Sequence, residues 1–302
     1  MKQNILFRSD SSSGIGTGHI MRDLVLASQY KDSSIVFATQ ELEGNINERV
    51  LETGHKIEIL NSNEIEELNK LIEKLEIDLV VIDHYDIDYK FEKKLKKLNP
   101  KLKILSFDDT YEKHYCDILL NHNISADAKR YKYLVPKHCE LRCGAKYTLL
   151  REEFIKAKKE KKKRGKKTTI FIAMGGADHS NISREILNVL KSFEDIRVNL
   201  VTTTANQNLE KLQKYCKNKK WIELHINSNK IAKLMQKSDF AIVTPSVTIN
   251  EVYFMDLPFV AIMTADNQKE IYNYIKRKKY PTLKKFSRIE LEKKIYKVMK
   301  NA

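Results

Sequence analysis

Short runs of apolar, β-branched and aromatic residues alternate along this chain with stretches whose apolar positions recur every three or four residues. Residues 5–8, 34–38, 56–60, 78–83 and 103–107 form the runs of the first half, and 19–30, 45–53, 64–75 and 89–98 carry the helical period between them. Strands and helices in alternation predict βαβ units on a parallel sheet. The pattern restarts beyond residue 167. Strands are predicted over 168–174, 197–203, 222–225, 240–244 and 259–263, with helices over 181–193, 209–216, 230–237, 247–255 and 268–278. The expected fold class is α/β, with two Rossmann-like doubly wound domains in tandem over 1–150 and 168–302 and a basic linker over 151–167. Such sheets bind ligands beyond the carboxyl ends of their strands, so the cleft between the two domains is the expected site.

Length and composition agree with two cores: 302 residues, 42% of them hydrophobic, exclude a disordered chain. No stretch approaches the ~20 apolar residues of a membrane span, and the start of the chain lacks a signal-peptide core, so a cytoplasmic protein without a membrane partner is expected. Cys116, Cys139, Cys143 and Cys216 lack paired metal-site spacing; Cys139 and Cys143 beside His138 come nearest, and reduced thiols are the favoured reading over zinc. The net charge of +15 admits nucleic acid, an anionic membrane or an anionic small substrate as partner. Much of it lies in KAKKEKKKRGKK at 156–167, which lacks interleaved aromatics and reads as a solvated linker. No nucleic-acid-binding signature accompanies the charge, and no nucleic-acid partner is expected.

Three strand-to-helix junctions carry candidate chemistry. In the first, NILFRSDSSSGIGTGHIMRD at 4–23, Gly16 and Gly18 let backbone approach a ligand, and His19 sits where the helix begins. A histidine there suits the removal of a proton from water or a hydroxyl, or it is simply a solvated first-turn residue beside a tight turn. In the second junction, Gly175 and Gly176 follow a strand and precede a helix, as a diphosphate loop or as a plain turn. The third, TPSVTINE at 244–251, offers the hydroxyl of Ser246, the amide of Asn250 and the carboxylate of Glu251. Glu251 is placed to accept hydrogen bonds from two sugar hydroxyls, or is an acid favoured by the helix dipole.

Together, RSDSSSGIGTGH with Arg22-Asp23, then IDHY at 82–85, LSFDD at 105–109, REEF at 151–154, Met174-Gly175-Gly176, Asn250-Glu251 and Asn267-Gln268 resemble the UDP-sugar hydrolases of bacterial pseudaminic acid biosynthesis. These act on UDP-2,4-diacetamido-2,4,6-trideoxy-β-L-altropyranose and are related to the glycosyltransferases that make lipid II. The resemblance runs in order from about residue 4 to residue 280. It implies a glycosyltransferase-B architecture, in which the carboxy-terminal domain grips UDP and the amino-terminal domain supplies the reaction centre. It implies that His19 is the general base on a water attacking the anomeric carbon with inversion. Tyr85 and Asn267 then face the sugar, Gly175 and Gly176 the diphosphate, and Glu251 the ribose. The chain departs from the family pattern beyond Pro281 and in its lysine-rich linker.

Diphosphate leaves as a stabilised anion, so one base suffices, and catalysis is expected without metal or cofactor; Asp108 and Asp109 are the fallback for a metal. Asp10 and Asp109 are the alternative bases. The partner expected is a UDP-sugar substrate, and the protein is expected to be a monomer. Two readings compete. A glycosyltransferase of the same fold would use the same base on an acceptor alcohol, and a non-catalytic binder of nucleotides or nucleic acid would rest on the charge.

Overall fold

The computed structural model describes residues 3–160, 165–178 and 180–300. The chain divides into two compact units, 1–149 and 150–302. In the first, the elements run β1 (Asn4–Ser9), α1 (Gly18–Ala27), β2 (Ser34–Thr39), α2 (Asn47–Glu52), β3 (Lys56–Ile59), α3 (Ile65–Lys74), β4 (Leu79–Asp83), α4 (Tyr89–Leu98), β5 (Lys103–Phe107), β6 (Ile118–Asn121) and β7 (Glu140–Cys143). The strands form one sheet in the order β3-β2-β1-β4-β5-β6-β7, parallel throughout.

Alternation along β1 sends Ile5 and Phe7 into a core with Ile20, Phe37 and Val81, and Leu6 into a second core with Val36, Val80 and Ile104. Both faces are covered, which is why these strands read as continuous apolar runs rather than as alternating ones. The chain order reverses between β1 and β4. The connections leaving their carboxyl ends diverge there and open a crevice.

Helix starts differ in a way that bears on function. Asp88 caps α4, its carboxylate accepting from the Lys90 and Phe91 amides at 2.9 Å each, an interaction worth ~1 kcal/mol. By contrast, α1 has neither a side-chain cap nor an acid in its first turn.

The second unit runs α5 (Glu152–Lys159), β8 (Thr168–Ala173), α6 (Ile182–Leu190), β9 (Ile196–Thr202), α7 (Leu209–Cys216), β10 (Ile222–Ile226), α8 (Ile231–Gln236), β11 (Phe240–Val243), α9 (Val247–Phe254), β12 (Phe259–Ile262), α10 (Lys269–Arg277), β13 (Thr282–Leu283) and α11 (Arg288–Met299). Its sheet, β10-β9-β8-β11-β12-β13, repeats the order of the first and reverses between β8 and β11. Among the described residues no helix is long and apolar enough to cross a membrane.

Three points of the structure go beyond the sequence reading: one expectation is corrected and two features were not predicted. The stretch over 151–167 is not a solvated linker throughout, because α5 packs against α8 with Phe154 fully buried. Two apolar residues among lysines were enough to anchor a helix. Residues 161–164 of the basic run lie outside the described residues. Second, β6 and β7 went unpredicted: each is only four residues long, with too few positions to show a period. Third, the segment after Pro281 is built into the fold. Leu283 pairs β13 to β12, and Leu291, Ile295 and Val298 of α11 enter the core beside Ile186 and Leu187 of α6.

Candidate active site

His19 is the second residue of α1 and is buried, 7% exposed. The solvated first-turn alternative is thereby overturned. Its Nδ1 lies 2.6 Å from Oδ1 of Asp83, the last residue of β4, and β1 and β4 pair so that Ser9 stands beside Asp83. An ionised carboxylate on Nδ1 selects the tautomer with the proton on that nitrogen, leaving the Nε2 lone pair free to accept one.

Asp83 is itself held firmly. Arg22, one turn beyond His19 on α1, donates to Oδ2 from Nε and to Oδ1 from Nη2, both at 2.5 Å. Burial would push the Asp83 carboxyl up, but the charge and hydrogen bonds of Arg22, with the bond from His19, hold it well below the usual carboxylate range. Arg22 also lies over the Phe107 ring, 5.0 Å from its centre, and reaches Asp109 at 3.5 Å.

Tyr85 follows β4 by two residues and is exposed. Its ring meets the His19 ring edge-on at 5.0 Å, and its hydroxyl donates to Asp109 at 3.2 Å. Partial desolvation by the groups packed around it and the Asp109 charge push the phenol up to about 12, so it remains a donor. Gly16 has φ +85 and nothing within contact of a Cβ, as has Gly18 in space. The loop they share is closed by hydrogen bonds between Ser12 and Gly16 and pinned to the loop after β2, where the Ser13 amide donates to the Glu43 carbonyl at 2.9 Å.

Of the alternative bases, Asp10 is engaged on every side. Arg8 donates to both its oxygens at 2.7 and 2.8 Å, the Gln40 amide at 2.7 Å, and His84 from Nε2 at 3.0 Å. Burial raises it, but the bonds from His84 and Arg8 outweigh that and keep it a weak base. Asp108 spends its oxygens on the turn that follows, accepting from Thr110, Tyr111 and Glu112. Cys139 lies not against Cys143 but 3.6 Å from the sulfur of Cys116.

In the second unit, the loops at the carboxyl ends of β8 and β11 carry Gly175, Gly176 and Ser246, α9 carries Asn250 and Glu251, and Asn267 follows β12. Gly175 has φ +83, and a Cβ on Gly176 would meet Thr203 Oγ1 at 2.9 Å, so both positions require glycine. The start of α6 is already capped by Asp178, which accepts from the Ile182 and Ser183 amides at 2.9 and 3.1 Å. The start of α9 is different. Ser246 gives no side-chain cap there, its hydroxyl instead paired with Thr244 at 2.9 Å, and the first turn holds no acid. That leaves the α9 start with its partial positive charge uncompensated.

Glu251 is on the same helix, bonded by Arg151 at 3.3 Å. Burial pushes its carboxyl up to about 7, against the opposing charge of Arg151. Asn250, expected among the ligand contacts, is buried with polar partners of its own. Asn267 is exposed on the loop after β12, which Gln268 ties down by accepting from the Thr264 amide at 2.8 Å.

Sequence reasoning named His19 but not its two supports. Asp83 had a signal, an acid ending an apolar strand, and Arg22 had one in its three-residue spacing from His19. Neither signal identifies a partner until β1 and β4 are neighbours.

No protein-family model matches the chain. It is 45% identical over 276 residues, 91% of its length, to UDP-2,4-diacetamido-2,4,6-trideoxy-β-L-altropyranose hydrolase of Campylobacter jejuni, 97% of which is covered. It is 31% identical over 282 residues to an uncharacterized protein of Methanocaldococcus jannaschii, covering 89% of this chain and 57% of that one. Among solved structures, MurG of Acinetobacter baumannii matches 99% of this chain and 91% of its own with a TM-score of 0.64 at 12% identity. At that identity the likeness is one of fold, the glycosyltransferase-B fold.

Proposed function

This chain belongs to the family of UDP-2,4-diacetamido-2,4,6-trideoxy-β-L-altropyranose hydrolases, and from that premise we propose that it cleaves such a UDP-linked sugar at the anomeric carbon in pseudaminic acid biosynthesis. The products are UDP and the free sugar, with inversion. The observation that carries the assignment of the base is the 2.6 Å contact of His19 Nδ1 with Asp83, which reserves Nε2 for a proton from water.

In the proposed step, the oxygen of a water bonds to the anomeric carbon as His19 Nε2 takes one of its protons. The bond from that carbon to the diphosphate oxygen breaks, and both its electrons leave with UDP. Asp83 stabilises the imidazolium that forms, and Arg22 keeps Asp83 ionised and oriented. Tyr85 and Asn267 contact the sugar. The uncapped start of α9 with Ser246, together with the backbone of Gly175 and Gly176, holds the diphosphate. Glu251 accepts from the ribose hydroxyls.

The test is UDP release from the UDP-sugar without any acceptor, comparing the wild type with His19→Asn. Loss of a general base costs about 10²–10⁴ in rate, so the variant should lose at least about two decades in kcat while still binding UDP. Release that depends on an added alcohol would instead establish a glycosyltransferase, and near-normal turnover by His19→Asn would move the base to Asp109.

A further inference from the structure

Behind the His19–Asp83 pair stands a carboxyl group that the mechanism above does not use. Asp23 lies four residues beyond His19 on α1, hence on the same face of the helix, and is fully buried. Among the described residues neither of its oxygens makes a well-formed hydrogen bond, and the hydroxyl of Ser9, on neighbouring β1, is likewise without one. The groups that act on it are Asp83 from β4, Ser9 from β1 and Arg22 from its own helix. Arg22 acts on it only as a neighbouring charge that lowers it, because its Nε and Nη2 are committed to Asp83 and its Nη1 reaches Asp109. His122, just past β6, is buried with both ring nitrogens unpartnered; burial and the Arg22 charge lower it to about 4, so it too is neutral and brings no positive charge.

An ionised carboxylate with no exposure, set against a second carboxylate and offered only the Ser9 hydroxyl as a neighbouring donor, is among the most costly arrangements in a protein interior. The neutral acid removes that cost and turns Asp23 into a donor, with the Asp83 carboxylate as the acceptor beside it. We propose that Asp23 is held as a neutral carboxylic acid whose proton is shared toward Asp83, and that it is a positioning residue for the His19–Asp83 pair. The charge balance gives the reason. With Asp23 neutral, Arg22 faces the carboxylates of Asp83 and of the partly exposed Asp109, and no third, fully buried negative charge is added beside His19. A second carboxylate beside Asp83 would favour imidazolium from the outset, and imidazolium cannot take a proton from water. Burial and the Asp83 charge, which both raise the Asp23 carboxyl well above its ordinary value, act in the same direction.

The proposal rests on the reading of His19 as the base, but its first readout does not. Infrared spectra of the full chain at about pH 8 should contain the carbonyl stretch of a protonated carboxylic acid, since by then ordinary carboxyls, and Glu251 with its value of about 7, are largely ionised. Asp23→Asn should remove that band. The amide is neutral, similar in shape and able to donate, so Asp23→Asn should keep kcat within about threefold and leave the acid limb of the pH–rate profile where it was. Asp23→Leu, neutral but without a donor, should lower kcat roughly tenfold at unchanged KM, an effect within the range of a lost orienting contact.

Absence of the band from the wild type at about pH 8 overturns the proposal, and that measurement needs no variant to fold. Movement of the acid limb by a full pH unit in Asp23→Asn overturns it as well. Full turnover by His19→Asn would defeat the assignment of the base and leave the band untouched, so the two failures are distinguishable.

Discussion

Two histidines and two acids of the first unit show how surroundings, not residue type, assign roles. His84 and Asp10 sit in a saturated network in which the Asp86 amide donates to His84 Nδ1 and His84 donates to Asp10, so neither has a lone pair or proton to spare for a substrate. His19 has one nitrogen committed to Asp83 and the other free. In the second unit the informative residue is Glu251. Burial places its carboxyl at about 7 in the free protein, whereas in the role proposed for it two ribose hydroxyls would donate to it and favour the ionised form. Binding of UDP should therefore release a proton, and affinity should weaken as the pH falls from about 8 toward about 6, by up to about tenfold per unit below the free-protein value. Calorimetric titration of UDP measures this, and Glu251→Gln should flatten the part of the profile that belongs to this carboxyl. A Glu251→Ala variant should raise KM more than it lowers kcat, since a ribose contact is equal in ground and transition states. An unchanged KM with a collapsed kcat would remove Glu251 from the ribose.

At the level of elements, the candidate residues other than Asn250 and Glu251, which lie within α9, sit on a loop or helix start at the carboxyl end of a strand, and those loops are braced by their neighbours. The loop after β1 leans on the loop after β2. Gly44 has φ +74, and a Cβ there would fall 2.1 Å from Ser13 Oγ and 3.0 Å from the Ser13 amide nitrogen. Gly44→Ala should thus displace the loop that carries Gly16 and Gly18 and lower kcat by roughly tenfold, displacements of about 1 Å being enough for larger losses. UDP affinity, a property of second-unit residues on this reading, should stay the same; equal loss of both would contradict it. Gly175→Ala tests the other side. Its φ of +83 is costly for any other residue, by ~1–2 kcal/mol, so UDP affinity should fall several-fold with only a small change in melting temperature.

For the whole molecule, the second unit begins at residue 150, so that α5, which lies in the stretch expected as a linker over 151–167, belongs to it. Lys158 ties α5 to α9 and its C-terminal end, donating to the Phe254 carbonyl and pairing with Asp256 at 2.8 Å. A fragment of residues 150–302 should accordingly be more stable to denaturant than one of 168–302. In the full chain Phe154→Ala should cost ~3–5 kcal/mol, as removal of a buried aromatic side chain does. Equal stability of the two fragments would mean that α5 is an appendage after all.

The alternation of apolar runs with helical periods determined the fold class, because a strand covered on both faces and an amphipathic helix each leave a local pattern that needs no partner to be read. The glycines and His19 were legible for the same reason: the turn between β1 and α1 is contiguous in sequence. What lay beyond the sequence was everything that depends on which strands are neighbours. Asp83 is 64 residues from His19, and only the reversal of strand order between β1 and β4 brings them together. The same holds for Asp23, whose helical spacing was visible but whose burial against Asp83 was not. Short β6 and β7, the anchored α5 and the core contribution of α11 escaped for a related reason. Their stability comes from packing against elements already formed, and a local pattern of a few apolar residues does not announce it. Sequence alone thus determined the framework and the location of the candidate loop, while tertiary structure decided the partners and burial of the groups on it, because these depend on distance and desolvation through space.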